Sequence, residues 1–340
     1  MISTRRGSEH ARILATGARR PDRVVTNEEI CEVLDSSDEW IRTRTGIVTR
    51  RFAAPGETVV DLAAPAAEQA VQRAGLAAGD IDAVIVATST HMVSMPSAAA
   101  LTAARIGAGP ATTFDLSTAC AGFTHGVAVA NDLIRGGSAR HVLLVGVDRM
   151  TDVVDPTDRG SAMIFGDGAG AAVIGPSDTP GIGPTIWGSD ADQWEALYQT
   201  ASWTEYRDQV GQARRTGGEE PDWPVITMMG PKIFRWAVWE MAGVARKALE
   251  AAEVDVADLA AFIPHQANVR IIDQMAKQLK LPDQVVIARD VIDAGNTTGA
   301  SIPLAMDRLI SEGQVTSGGL ALLIGFGAGL SFSAQVVRLP

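Results

Sequence analysis

Cysteine is scarce. Cys31 and Cys120 are the only two in 340 residues, too few for a disulfide-stapled scaffold and in keeping with a reducing cytoplasm where thiols stay free for chemistry. Long apolar runs are also missing: residues 321–330, the longest, are too few and too glycine-rich to span a bilayer. The first 20 residues hold several arginines but no continuous apolar stretch, so neither a secretory leader nor a membrane anchor is expected. Basic residues are outnumbered, 29 Lys and Arg against 40 Asp and Glu, and the net charge of −11 would repel nucleic acid at long range. Small anions and a local basic face are not excluded by that balance.

What the chain does have is 46% hydrophobic residues, enough for one large core or two smaller ones. Short apolar runs alternate with 3.6-residue patterns, the signature of an α/β fold. Strands are expected at 83–88, 112–116, 142–147, 260–264, 285–288 and 320–324. A T-x-x-E capping box at Thr26 to Glu29 opens one helix, Pro96 stands at the first turn of another, and a third is expected over about 231–252. The order of element types in AVIVATST, TTFDLSTACAGFTHG and HVLLVGVD returns in AAFIPHQANVR, VVIARDVIDAGNTTGAS and ALLIGFGAG. Two similar halves would place a site where equivalent strand ends meet. Residues 191–224 break the pattern; with both tyrosines and three tryptophans they read as a long surface excursion with a packed, ligand-facing role.

Cys120 follows an apolar strand and precedes a helix expected over about 121–134. A thiol there would feel the positive end of the helix dipole, which lowers its pKa and makes it a nucleophile; the alternative is a small buried core thiol. Cys31, inside the amphipathic EEICEVLD, reads as packing. Of the five histidines, His10, His91, His125, His141 and His265, only His265 stands at the C-terminal end of an expected strand, where α/β active sites gather side chains. A hydrogen-bonded structural histidine is the alternative. No His/Cys/Asp spacing resembles a metal site. Asn296 lies in D-A-G-N-T-T-G-A-S, readable as turn chemistry or as a site residue. G-F-G-A-G at 325–329 could aim backbone N–H groups into a cavity or form a tight turn. G-D-G-A-G-A at 166–171 leads into an apolar strand, not a helix, so it is not a dinucleotide fingerprint.

Taken together, the segments S-S-D-E-W-I-R-T-R-T-G-I (36–47), the cysteine segment ending C-A-G-F, D-P-T-D-R-G (155–160), F-G-D-G-A-G-A-A-V (165–173), P-H-Q-A-N (264–268), G-N-T (295–297) and G-F-G-A-G-L closely resemble the β-ketoacyl-acyl carrier protein synthase III family of thiolase-fold condensing enzymes. The resemblance covers nearly the whole chain. It implies an α/β, five-layered α-β-α-β-α thiolase-like fold from two similar halves, 1–176 and 177–340, with an insertion at about 191–224, and a homodimer. It also implies catalysis by Cys120, His265 and Asn296, with an oxyanion hole from the backbone N–H groups of Cys120 and Ala328, where relatives commonly have glycine. Acyl-CoA and malonyl-acyl carrier protein are the implied substrates, with no metal or other cofactor. Trp40 and Arg159 would sandwich the adenine of coenzyme A, Thr45 would hydrogen-bond it and Arg44 would hold a phosphate. Gly230, Asn268 and Phe234 match the pantetheine tunnel. Met95 matches a position that reaches the partner's acyl pocket. Arg235, Arg270 and Lys277 match basic positions that dock the acidic carrier protein.

Overall fold

The computed structural model describes residue 2 and residues 6–340; the beginning of the arginine-bearing opening segment lies outside them. The first half runs β1 (His10–Arg19), β2 (Arg23–Thr26), α1 (Asn27–Cys31), α2 (Asp38–Thr45), β3 (Thr49–Phe52), α3 (Val59–Arg73), β4 (Ala83–Ala87), α4 (Ala98–Ile106), β5 (Thr112–Leu116), α5 (Gly122–Arg135), β6 (Val142–Asp148) and β7 (Gly168–Ser177). The second runs β8 (Ile186–Ser189), β9 (Leu197–Gln199), α6 (Trp203–Thr216), β10 (Ile226–Met228), α7 (Gly230–Ala251), β11 (Leu259–Pro264), α8 (Val269–Leu279), β12 (Val286–Ile287), α9 (Val291–Ala294), α10 (Ser301–Ser311), β13 (Leu320–Phe326) and β14 (Ser331–Arg338).

Local signals set several of these ends. Thr26 accepts the Glu29 N–H while Glu29 accepts the Thr26 N–H, the capping box expected there. Pro96 is not in the first turn of α4. Ser97 caps that helix by accepting the Ala100 N–H, and the Asp115 carboxylate on β5 accepts the Ala98 and Ala99 N–H groups at 2.8 Å each. With those donors satisfied from outside, the helix starts at Ala98. The strand expected at 285–288 keeps only Val286 and Ile287 in register with β11.

The two main sheets share one topology. The first has the order β1-β7-β6-β4-β5 and the second β8-β14-β13-β11-β12. In each, the last three strands are parallel and the first two antiparallel, so the repeat suspected from element order is a repeat of strand positions. Helices α5 and α10 lie between the sheets: Phe123, Val127, Ala130 and Ile134 from one and Ile302, Ala305, Met306 and Leu309 from the other share a buried cluster with residues of both sheets. Those spacings put each apolar set on one helix stripe. Helices α3 and α4 cover the outer face of the first sheet, and α7 and α8 that of the second, which gives five layers. Central strands are therefore buried on both faces: Ala83 and Ile85 face the middle layer, Val84 and Val86 the outer one. Full burial of the isoleucine and valines among them contributes about 1.5–3 kcal/mol each.

The glycine run at 166–171 opens strand β7, and a Cβ at Gly170 would meet the Leu304 backbone nitrogen of α10 at 2.7 Å. Close packing of sheet on helix explains that glycine. The excursion at 191–224 is not a loop: it contains α6, capped by Ser202 and Glu205. Its aromatics stack on each other, Trp203 and Tyr206 on Trp223 and Trp194 on Tyr198, and stay half-exposed outside the central cavity. The expected ligand-facing role for them is corrected accordingly. Among the described residues no helix is long and apolar enough to cross a membrane.

Candidate active site

Cys120 sits where β5 gives way to α5, inside the short turn Ala119–Ala121 that precedes the helix. Ala119 holds φ of +46°, a left-handed value that a residue with a Cβ adopts at a cost of about 1–3 kcal/mol. Gly327, just past β13, closes over the thiol: a Cβ there would meet Cys120 Cβ at 2.8 Å and Sγ at 3.1 Å. The thiol is buried, and burial together with the nearby Asp148 carboxylate pushes its pKa up to about 12. The lowered value expected from the helix dipole is thereby overturned. A helix end supplies at most ~2 kcal/mol to a charge, less than a rise of that size represents.

His265 follows β11 directly, and its backbone N–H donates to Ile324 on β13 at 2.8 Å, so the ring is anchored to the sheet. Nδ1 lies 2.7 Å from Ser301 Oγ, and Phe326 stands edge-on to the ring at a centroid distance of 5.2 Å. The side chain is almost wholly buried, and desolvation pushes its pKa down to about 3. The imidazole is therefore neutral at working pH.

Asn296 follows β12 and α9, and its Oδ1 accepts the Thr298 N–H at 2.9 Å. Thr298 is left-handed, with φ of +48°. It begins the turn Thr298–Ala300 ahead of α10 as Ala119 begins the turn ahead of α5, so the two strained residues occupy equivalent places in the two halves. Asp148, at the end of β6 and fully buried, holds this junction. Its carboxylate accepts from Thr298 Oγ1, from the Gly299 N–H at 3.0 Å and from the Ser89 N–H at 2.8 Å, with Thr88 and Thr90 hydroxyls also within bonding distance. Burial raises its pKa while these donors oppose the rise.

Cys120, His265 and Asn296 line one cavity of about 610 Å³ between the halves. Trp40, Arg44, Thr45 and Arg159 line its outer part, with Gly230, Phe234, Arg235, Asn268 and Arg270. Arg159 and Arg44 lie 5.1 Å and 5.5 Å from the Trp40 ring centre. A ring inserted between Trp40 and Arg159 needs roughly 7 Å, two stacking contacts, so the arginine must swing aside to admit one. Thr45 is buried; its hydroxyl donates to Ile41 O and accepts the Ile47 N–H, leaving it one lone pair for a ligand. Asn268 caps α8 through Oδ1, which leaves its amide N–H groups free.

Three residues singled out in the sequence do not line the cavity. Ala328 follows Gly327 without adopting a left-handed φ, so its Cβ costs the backbone nothing. Met95 is 81% exposed, and Lys277 is exposed near the C-terminal end of α8. His125 turns away from the site and stacks on Trp187 at 5.7 Å.

A thiol, a neutral imidazole and a carboxamide reaching one cavity from equivalent strand ends is an arrangement suited to acyl transfer and to holding an enolate. The same assignment emerges from comparison with known proteins. Profiles of 3-oxoacyl-[acyl-carrier-protein] synthase III match residues 114–191, and of its C-terminal part residues 249–339. The β-ketoacyl-[acyl-carrier-protein] synthase III of Streptomyces glaucescens is 52% identical over 100% of this chain and 99% of its own length, and synthase III 1 of Streptomyces coelicolor is 50% identical over the same shares. The chain belongs to the β-ketoacyl-[acyl-carrier-protein] synthase III family. The crystal structure of the priming β-ketosynthase of the R1128 polyketide biosynthetic pathway superposes with a TM-score of 0.93 at 46% identity, covering 100% of this chain and 98% of that one. A synthase III of Pseudomonas aeruginosa superposes with 0.87 at 36% identity, over 98% of this chain and 99% of that one.

This synthase III is thus a condensing enzyme with the thiolase fold. Asp148, Thr298 and Ser301, which hold Asn296 and His265 in place, were not singled out in the sequence of the synthase. Each stood in a quoted segment: HVLLVGVD ends on Asp148, and DAGNTTGAS contains both Thr298 and Ser301. A polar residue at the end of an apolar strand was the signal that could have found Asp148.

Proposed function

We propose that this synthase III loads an acyl group from acyl-CoA onto Cys120 and condenses it with malonyl-acyl carrier protein. The products are 3-oxoacyl-carrier protein, carbon dioxide and free coenzyme A, and the reaction starts fatty-acid synthesis. The observation that carries this reading is the meeting of Cys120, His265 and Asn296 in one cavity. Cys120 Sγ attacks the thioester carbonyl, the oxyanion accepts from the Cys120 backbone N–H and from that of Ala328, which follows the cavity-lining Gly327 in the chain, and coenzyme A leaves with the thiol proton. Loss of carbon dioxide from the malonyl group leaves an enolate whose oxygen accepts from His265 and from the Asn296 amide. Its carbon attacks the acyl thioester, and Cys120 leaves as the thiolate.

Coenzyme A enters past Trp40 and Arg159, with Arg44 on a phosphate, Thr45 accepting from the adenine and Gly230, Phe234 and Asn268 along the pantetheine arm. The carrier protein, which is acidic, docks on Arg235, Arg270 and Lys277 despite the net charge of −11. All three are exposed, and Arg270 packs over Phe234 at 5.4 Å. We assign the halves to 1–176 and 177–340, a division one residue short of the end of β7. The working unit is a homodimer in a reducing cytoplasm: β5 is a sheet edge, and the exposed Met92, Val93 and Met95 offer a partner apolar surface.

A second reading, priming of a polyketide pathway, is favoured by the likeness to the R1128 priming enzyme. A panel of acyl-CoA starters incubated with malonyl-carrier protein tests both, with product mass read directly. Condensation with fatty-acid carrier protein supports the first reading. Turnover only with a polyketide carrier protein supports the second, and acyl transfer without carbon dioxide release defeats both.

A further inference from the structure

Ser301 opens α10 and is completely buried without itself lining the cavity, yet its hydroxyl is the hydrogen-bond partner of His265 Nδ1. Its surroundings determine where its proton points. Serine Oγ has one proton to give and two lone pairs to offer. The Gln266 backbone N–H, which can only donate, takes one lone pair at 3.3 Å. Gln266 is itself immobile: its side-chain amide donates to Pro264 O at 2.7 Å and to Ala288 O at 3.3 Å, while Oε1 accepts the Val291 N–H.

Two neutral tautomers of His265 are to be compared. If Nδ1 carried the ring proton and donated it to Ser301, both lone pairs of Oγ would be used and the hydroxyl proton would be buried with no acceptor. An unmet buried donor costs about 1–3 kcal/mol. If Ser301 instead donates to an unprotonated Nδ1, every group in the cluster is satisfied. We propose that Ser301 is a positioning residue which, braced by the Gln266 N–H, keeps the His265 proton on Nε2 and aims it into the cavity. The inference rests on the reading of His265 as an enolate donor, and it adds which nitrogen donates and what keeps it so. It also means that resting His265 presents a proton and no lone pair to the cavity that Cys120 shares, and so is not the base that ionises the thiol.

Burial of the ring, which keeps it uncharged, restricts the choice to those two tautomers. Phe326, edge-on at 5.2 Å, limits rotation of the ring out of this arrangement.

The test has two arms. In the full-length enzyme labelled with 15N-histidine, the His265 signals, assigned by their loss in His265→Ala, should report a protonated Nε2 and an unprotonated, hydrogen-bonded Nδ1. A protonated Nδ1 overturns the proposal outright, whatever the variants do. In the second arm, Ser301→Ala should slow carbon dioxide release from malonyl-carrier protein about 10-fold, short of the roughly 100-fold cost of losing a donor entirely. The Michaelis constant for that substrate and acyl loading of Cys120 should each stay within about two-fold, and Ser301→Thr, which keeps the hydroxyl, should recover most of the rate. An unchanged rate in Ser301→Ala, or an equal fall in loading and decarboxylation, overturns the positioning role. Should the predicted tautomer be found while His265→Ala still releases carbon dioxide at the wild-type rate, the enolate reading falls and the tautomer assignment stands.

Discussion

The backbone N–H of Thr298 donates to Asn296 Oδ1 at 2.9 Å. That contact consumes the acceptor side of the carboxamide and leaves its Nδ2 donors for the cavity. Thr298 makes it from a left-handed backbone, φ of +48°, and the hydroxyl of the same residue is tied to Asp148 in the other half. The Asn296 amide of the second half is thus oriented by the first half's carboxylate.

Asp148→Asn should therefore damage both stability and catalysis. The amide replaces one acceptor oxygen with a donor among groups that already donate, from Ser89, Gly299, Thr88, Thr90 and Thr298. A loss of roughly 2–4 kcal/mol in urea unfolding is expected, with carbon dioxide release falling more than can be explained by the unfolded fraction. Unfolding midpoints matching wild type would contradict the buttressing role.

Acyl transfer and decarboxylation should separate cleanly by residue. Cys120→Ser should lose acyl loading. His265→Ala and Asn296→Ala should still load, but release carbon dioxide about 100- to 1,000-fold more slowly, the usual loss on removing a strong oxyanion donor. Mass spectrometry of the loaded protein beside labelled carbon dioxide release reads both steps; wild-type release in the last two variants would refute their role.

Alkylation of Cys120 by iodoacetamide should rise about 10-fold for each pH unit from 6 to 10, because a thiol held near 12 gains thiolate in that proportion throughout the range. A plateau near neutrality, followed on the peptide that contains Cys120, would mean that the helix end outweighs burial after all.

His265 should make the fold sensitive to acid. Its folded pKa of about 3 lies below the ordinary 6.5, so between these values the unfolded chain binds more protons and stability falls as pH drops. Above 6.5 the histidine contributes no slope. Replacing it by Ala should flatten the decline in melting temperature from pH 6 to pH 4, and an unchanged slope would count against a buried neutral ring.

Reversing Arg270 to Glu should raise the Michaelis constant for malonyl-carrier protein several-fold while acyl loading from CoA changes little. The residue is exposed and rests on Phe234, at the rim of the cavity that also holds Cys120. Equal damage to both half-reactions would mean that Arg270 serves the cavity it lines and not the carrier protein.

Much of this enzyme was written in its local patterns. Apolar runs of two-sided burial marked the central strands, the Thr26 box marked a helix start, and the order of elements around Cys120, His265 and Asn296 disclosed the doubled architecture. Those signals are short-range, set by neighbours along the chain. The cap on α4 was not, since Asp115 reaches it from a strand 16 or 17 residues away and displaces the start from Pro96 to Ala98. Nor was the folded helix α6 within a segment whose composition suggested a loop.

The ionisation of the site was decided entirely by tertiary structure. Sequence places Cys120 before a helix and so predicts an acidified thiol, but desolvation by the surrounding protein, Gly327 among it, and repulsion from Asp148 come from residues remote in the chain. The chain order determined which side chains would be available and on which strand ends they would stand. Which proton each would carry depended on the five layers closing around them, because the cost of a charge is set by the volume from which water is excluded, and no stretch of sequence encloses a volume by itself.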